Sequence, residues 1–332
     1  MRAWLCENPV GVEALEWKDL PTPEPLAGEV RIAIKAASLN FPDLLIVHNK
    51  YQVKPSLPFV PGAEFAGFVD ALGEGVTSSR VGEPVAVIGS SGGFATHACV
   101  PASQVIPLPP GFKVEHGAAF AFTYGTSHHA LVDRAGLQPG ETVLVLGAAG
   151  GVGTAAIQIA KAVGARVIAA VSTDEKAELC RELGADATLN YGRGSDIREQ
   201  IRQLTDGRGP DVVYDPVGGD LAEPVFRSIA WRGRYLVIGF AGGKIPSLPF
   251  NLALLKGASL VGVFWGDFVR REPQANAASL AELSQWYSRG LIRPVIDRRL
   301  PMRSLKEAYA LMDTRAVRGK LLLVNDEVPS SS

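Results

Sequence analysis

The sequence predicts an α/β fold in which a doubly wound parallel sheet is joined to a β-rich region. Three observations point there. Short apolar runs punctuated by Gly and Pro fill the chain to about residue 105. Strict strand–helix alternation follows over residues 142–264. Its first strand-to-helix junction holds the glycine turn Gly147-Ala148-Ala149-Gly150-Gly151-Val152-Gly153.

In the β-rich part, residues 30–36, 65–72 and 84–88 read as strands. Gly28-Glu29, Gly73-Glu74-Gly75, Gly82-Glu83-Pro84 and Ser90-Ser91-Gly92-Gly93 are the expected reversals, because Gly and Pro supply the positive or fixed φ that turns need. After Leu108-Pro109-Pro110-Gly111, helices are expected at 116–122 and 124–135. Strands then follow at 142–147, 165–171, 187–190, 212–215, 235–239 and 259–264, with helices at 152–163, 174–183, 196–205, 222–229 and 252–256 between them. Continuous apolar strands with intervening helices predict a parallel sheet covered on both faces.

Beyond it, helices are expected at 276–288 and 305–313 and a last strand at 320–324. A segment of under about 70 residues buries little core by itself, so 267–324 is expected to pack back onto the N-terminal β region. The tail 329–332 is expected to fray.

Composition narrows the function. At 332 residues the chain suits about two domains of roughly 150 residues each. It is 47% hydrophobic and 20% charged, with a formal net charge of -1, so no global field attracts nucleic acid or an anionic membrane. Cys6, Cys99 and Cys180 lie far apart, which gives neither a disulfide framework nor a zinc knuckle and fits a reducing cytoplasm. The first residues reach Glu7 without an apolar run, unlike a secretory signal. The longest apolar stretch, 248–265, is interrupted by Pro249, Asn251, Lys256 and two glycines, so no membrane span is expected.

The glycine turn has the form A-x-G-x-x-G in a strand–turn–helix setting, with Ala148 in place of the first glycine. Gly150 would let the backbone approach a pyrophosphate and Gly153 would let helix and strand pack closely. The helix N–H groups of Gly151, Val152 and Gly153, with the helix dipole, would attract the anion. A Walker A loop is excluded, since no Lys followed by Ser or Thr comes after the glycines. Near the tip of the second strand, where NAD sites place an acid, stand Ser172 and Thr173, with Lys176 one turn into the next helix. Hydroxyls and an ammonium suit a 2′-phosphate, so NADPH is expected; alternatively Ser172 or Thr173 caps the helix and Lys176 is solvated. Asp174 dissents and is assigned to the first helical turn, where the dipole favours an acid.

Four stretches carry a family resemblance: Leu39-Asn40-Phe41-Pro42-Asp43, Pro61-Gly62-Ala63-Glu64-Phe65-Ala66-Gly67, the glycine turn, and Asp211-Val212-Val213-Tyr214-Asp215-Pro216-Val217-Gly218. Together, in order and across nearly the whole chain, they resemble the zinc-independent quinone oxidoreductase branch of the medium-chain dehydrogenase/reductase superfamily. The resemblance implies a GroES-like catalytic domain of residues 1–122 and 266–332, a Rossmann domain of residues 123–265, and an active cleft between them. It also implies NADPH as hydride donor, a quinone or enone as small-molecule substrate, and a homodimer paired through edge strands near 260–264.

Catalytic zinc needs about three Cys, His or acidic ligands. Where the zinc enzymes of the superfamily carry Cys and His, this chain resembles them with Asn40 and Ala63 instead, so no metal is expected. By similarity, Asn40, Asp43 and Tyr51 should line the catalytic side and Tyr124-Gly125-Thr126 should lie near the nicotinamide. Asn40 would donate to an acceptor oxygen or else shape a turn. Asp43 would orient a neighbour rather than act as an acid, and Tyr51 would donate to the acceptor or else pack on Pro55. Leu45 and Ile46 stand where relatives often carry a second Tyr. Tyr191 matches a position near the adenosine phosphate, and Phe240, Phe264 and Trp265 are candidate pocket walls or core packing.

Hydrolase signatures are missing. The chain has no G-x-S-x-G and no H-E-x-x-H, and the adjacent His128 and His129 point to different faces of a helix. His48 and His97 read as surface or packing residues. The expected function is metal-free hydride transfer from NADPH to quinones. The alternatives are an enoyl or alkenal reductase acting on unsaturated ketones or acyl thioesters, and an NADPH-binding sensor with little turnover.

Overall fold

The computed structural model describes residues 1–194, 196–326 and 328, apart from the Arg193 side chain; the tail 329–332 lies outside them. The chain divides into two compact units, residues 1–122 with 296–332, and residues 123–295.

In the first unit, β1 (Arg2–Leu5) pairs antiparallel with β2 (Glu16–Asp19). Next come β3 (Glu29–Ser38), helix α1 (Phe41–Val47), β4 (Glu64–Leu72) and β5 (Pro84–Ile88). β6 (His97–Pro101), β7 (Val105–Pro107) and the short α2 (Val114–Gly117) follow. Val30, Ile32 and Ile34 of β3 are buried while Glu29, Arg31 and Ala33 are partly exposed, the period-2 pattern of a strand with one face on the core. From Lys35 through Ser38 every residue is buried, so both faces are covered at the end that leads to Asn40.

The chain enters the second unit within α3 (Ala121–His128), which continues into a π-helical turn at His129–Arg134. The helix expected at 116–122 is therefore split. α2 stops at Gly117, and a new helix starts where Glu64 Oε1 accepts the Phe122 N–H at 2.8 Å.

The second unit is built of β8 (Thr142–Val145), α4 (Gly151–Val163), β9 (Arg166–Val171), α5 (Asp174–Glu182) and β10 (Ala187–Asn190). It continues through α6 (Ile197–Leu204), β11 (Val212–Asp215), α7 (Ala222–Arg227), β12 (Arg234–Val237), α8 (Asn251–Lys256) and β13 (Ser259–Gly262). Among the described residues these strands form one sheet in the order β10-β9-β8-β11-β12-β13, and every neighbouring pair is parallel. Counted from β8, that is the 3-2-1-4-5-6 order of a Rossmann fold. β8 and β11 are buried throughout, as central strands between two helical layers must be, whereas Ser259, Leu260 and Gly262 of edge strand β13 are exposed.

The expected return to the first unit at residue 266 comes at Ile296 instead. Both α9 (Trp265–Arg271) and α10 (Pro273–Ser288) stay with the Rossmann sheet. The contacts that hold them are long-range. A Cβ on Gly125 would lie 2.6 Å from the Trp265 ring, so only glycine admits the indole. The His129 ring stacks on Phe268 at 4.0 Å, and His128 Nε2 lies 3.0 Å from Glu282. After Ile296, β14 (Ile296–Pro301), α11 (Leu305–Asp313) and β15 (Lys320–Val324) rejoin the first unit, where β15 pairs with β3. Among the described residues no helix is long and apolar enough to cross a membrane.

Candidate functional site

In a Rossmann sheet the ligand-binding crevice lies beyond the carboxyl ends of the strands, where the strand order reverses. Here that point is between β8 and β11. The turn after β8 carries Gly147 at φ +56°, a left-handed conformation that favours glycine. Gly150 is the N-cap of α4, and Gly151, Val152 and Gly153 form its first turn, so their N–H groups have no carbonyl four residues back within the helix. A Cβ on Gly153 would fall 2.5 Å from Gly147 O and 2.7 Å from Ala148 Cα. Backbone sits there, and only glycine fits. Ala148 is buried under the turn, while Gly150, Gly151 and Val152 are partly exposed. The first turn is also steadied from α3, where Ser127 Oγ donates to Val152 O at 3.0 Å. Thr126, in the same helix, is buried.

The residues expected to meet the 2′-phosphate cluster at the ends of β9 and β10. Asn190 is paired in register with Val171, which brings Tyr191 beside Ser172 and Thr173. Ser172 is partly exposed. Thr173 is the N-cap of α5, and its Oγ1 accepts the Lys176 backbone N–H at 3.3 Å. Its oxygen thus caps the helix. Tyr191 is partly buried against the sheet core.

Beyond β11, the buried carboxylate of Asp215 organises the next loop. Its Oδ1 accepts the N–H groups of Val217 and Gly218, both at 2.8 Å, and its Oδ2 accepts the Tyr235 hydroxyl at 2.6 Å. Val217 packs on the glycine turn, since a Cβ at Gly147 would meet its Cγ2 at 2.9 Å. Phe240 packs on Gly218, where a Cβ would lie 2.8 Å from the ring. Sequence reasoning missed Asp215 and Tyr235, although an Asp ending a strand ahead of Pro-Val-Gly was a signal. Phe264 is 53% exposed and flanks α9, whereas Trp265 is buried on Gly125.

In the first unit, Asn40, Asp43 and Glu64 come together with two residues the sequence did not single out, Ser38 and Lys320, and all five are buried. Glu64 Oε2 accepts from Ser38 Oγ at 2.6 Å and Asn40 Nδ2 at 3.0 Å, and Lys320 Nζ lies 3.4 Å away. The Asn40 amide, expected to donate to an acceptor oxygen, donates to Glu64 from Nδ2, which carries two N–H donors, and its Oδ1 accepts from Lys320 at 2.6 Å. Asp43 Oδ2 accepts the Asn40 N–H at 2.8 Å and its Oδ1 the Ala63 N–H at 3.0 Å, which ties together the backbone on either side of it. Burial pushes the Asp43 carboxyl up to about 7, against the pull of those two N–H groups. Tyr51 is half-buried against this core; burial first, and then the charge of Asp43, raise its hydroxyl pKa.

The same geometry does not suit zinc. Both Glu64 oxygens accept hydrogen bonds, Asn40 is tied to Lys320, and residue 63 is an alanine. The Lys320 ammonium beside Glu64 would repel a dication.

The alcohol dehydrogenase GroES-like domain family matches residues 26–110, and the zinc-binding dehydrogenase family matches residues 151–282. A quinone oxidoreductase-like protein 2 homolog of Nematostella vectensis is 37% identical over 97% of this chain and 88% of its own length. The quinone oxidoreductase of Pseudomonas aeruginosa is 34% identical over 95% and 96% of the two chains. The solved quinone oxidoreductase of Thermus thermophilus, described also in complex with NADPH, superimposes with a TM-score of 0.84 at 33% identity, covering 98% of this chain and 100% of that one. Fold and relatives define a medium-chain dehydrogenase/reductase. Within that superfamily the chain belongs to the zinc-independent quinone oxidoreductase branch.

Proposed function

We propose that this chain is an NADPH-dependent reductase of quinones and carbonyl-conjugated acceptors that works without a metal. The observation that carries the reading is the fit of Gly153, whose missing Cβ lets the first turn of α4 close on Gly147 and Ala148. That closure aims the helix N-terminus at a diphosphate at the point where the strand order reverses. Ser172, Thr173, Lys176 and Tyr191 surround the adenosine end, with Lys176 as the cation for the 2′-phosphate. Phe240 and the loop held by Asp215 border the other side of the turn. Bound NADPH supplies the hydride.

In the first unit, Tyr51 is the proposed donor to the acceptor oxygen. Its raised pKa keeps the hydroxyl protonated, and a protonated hydroxyl can stabilise charge that develops on a carbonyl. Asp43 and Asn40 are proposed to act by fixing the chain around it. The exposed edge of β13, with Leu260 53% exposed, supports a homodimer joined along that strand. Coenzyme fluorescence titration, followed by NADPH oxidation against benzoquinone, phenanthrenequinone, an enone and a crotonyl thioester, tests the reading. Turnover of the quinones is expected. Tight binding with silence toward every acceptor would point to the sensor, and turnover confined to the thioester to the enoyl reductase.

A further inference from the structure

An NADH site places a carboxylate at the tip of the second strand, where it accepts from the ribose hydroxyls; an NADPH site has to keep negative charge away from the 2′-phosphate. β9 ends at Val171, and the first carboxylate beyond it is Asp174, only three residues on. Helical position alone does not neutralise it, since an acid in the first turn of a helix keeps its charge. One group that engages it is on the neighbouring strand. Asn190, the last residue of β10, donates from Nδ2 to Asp174 Oδ1 at 2.9 Å.

The orientation of that amide is fixed from its other end. Asn190 Oδ1 accepts the Gly192 N–H at 2.9 Å, so the nitrogen has to face Asp174. Gly192 in turn passes so close to the strand tip that a Cβ on it would lie 2.2 Å from Ser172 O. One amide therefore links the Tyr191 turn, the Ser172 tip and the Asp174 carboxylate. We propose that Asn190 is a specificity-determining residue: by engaging Asp174 it withholds a carboxylate that would otherwise bind the diol of an unphosphorylated ribose, and so favours NADPH over NADH. The proposal rests on the NADPH reading above.

The test compares dissociation constants for NADPH and NADH, by coenzyme fluorescence, in the full-length protein and in Asn190→Ala, Asp174→Asn and the double variant. Glu175 is present in all four and cannot produce a difference between them. Asn190→Ala is expected to lower the NADPH preference roughly two- to fivefold, the range of an exposed charged contact, by tightening NADH binding. In the Asp174→Asn background the same change is expected to leave the preference unaltered, because no carboxylate is released. Equal weakening of both coenzymes, or a shift that persists without Asp174, would overturn the proposal while leaving the NADPH reading intact. A wild-type protein that prefers NADH would overturn both.

Discussion

Lys320 Nζ donates to Asn40 Oδ1 at 2.6 Å from a site where both residues are buried, and the same ammonium reaches Glu64 Oε2 at 3.4 Å. Strand β15 thereby supplies the cation for a carboxylate on β4. Burial lowers the Lys320 pKa and Glu64 opposes that shift. Lys320→Met removes the cation beside the buried Glu64 carboxyl group, and is expected to cost about 3–5 kcal/mol in urea unfolding. Adding Glu64→Gln should recover much of the loss. A double variant no more stable than Lys320→Met would contradict the pairing.

Gly153→Ala is expected to weaken NADPH binding at least about tenfold, because its Cβ meets backbone at 2.5 Å and α4 has to move away from the strand. Gly150→Ala places its Cβ 3.3 Å from Gly147 O and should be milder. Fluorescence titration of both variants checks the order. Equal effects would mean that close packing at Gly153 does not govern the turn.

The Asp43 carboxyl has a pKa of about 7 in the folded chain and an ordinary value of 3.8 when unfolded. Between those pH values the folded state holds a proton that the unfolded state has released, so this group's contribution to stability falls as pH rises from 3.8 to about 7 and is level outside that window. Asp43→Asn should flatten this slope in denaturant midpoints measured across the range. An unchanged slope would assign it to another group.

Lys176→Ala is expected to reduce NADPH affinity roughly 10- to 150-fold, the worth of one charge-assisted hydrogen bond of about 1.5–3 kcal/mol, and to spare NADH. Paired titrations with the two coenzymes read it directly. Equal losses would remove Lys176 from contact with the 2′-phosphate.

Much of the Rossmann unit was legible because its buried strands are continuous apolar runs ended by turn residues. β10, β11 and β15, as well as α11, have the bounds their sequence pattern predicts. Helix α1 was not foreseen; it has only seven residues, its second is Pro42, and Asp43 holds its start through a contact periodicity does not reveal. The late return at Ile296 was hidden for a similar reason. The pairings of Trp265 with Gly125 and of Phe268 with His129 join residues more than a hundred positions apart. In the candidate site, the glycine turn and the Ser172–Lys176 tip follow from local spacing. The commitment of Asn40 to Glu64 depends on Lys320, which the sequence places 280 residues away.

The central claim is that a coenzyme held at the Gly147–Gly153 turn passes hydride to a quinone with no metal involved. The most direct measurement is quinone-dependent NADPH oxidation by protein exhaustively treated with chelator, run beside Gly153→Ala. The account predicts undiminished turnover after chelation and a raised KM for NADPH in the variant. Loss of turnover on chelation with recovery on added zinc, or a variant indistinguishable from the parent, would contradict it.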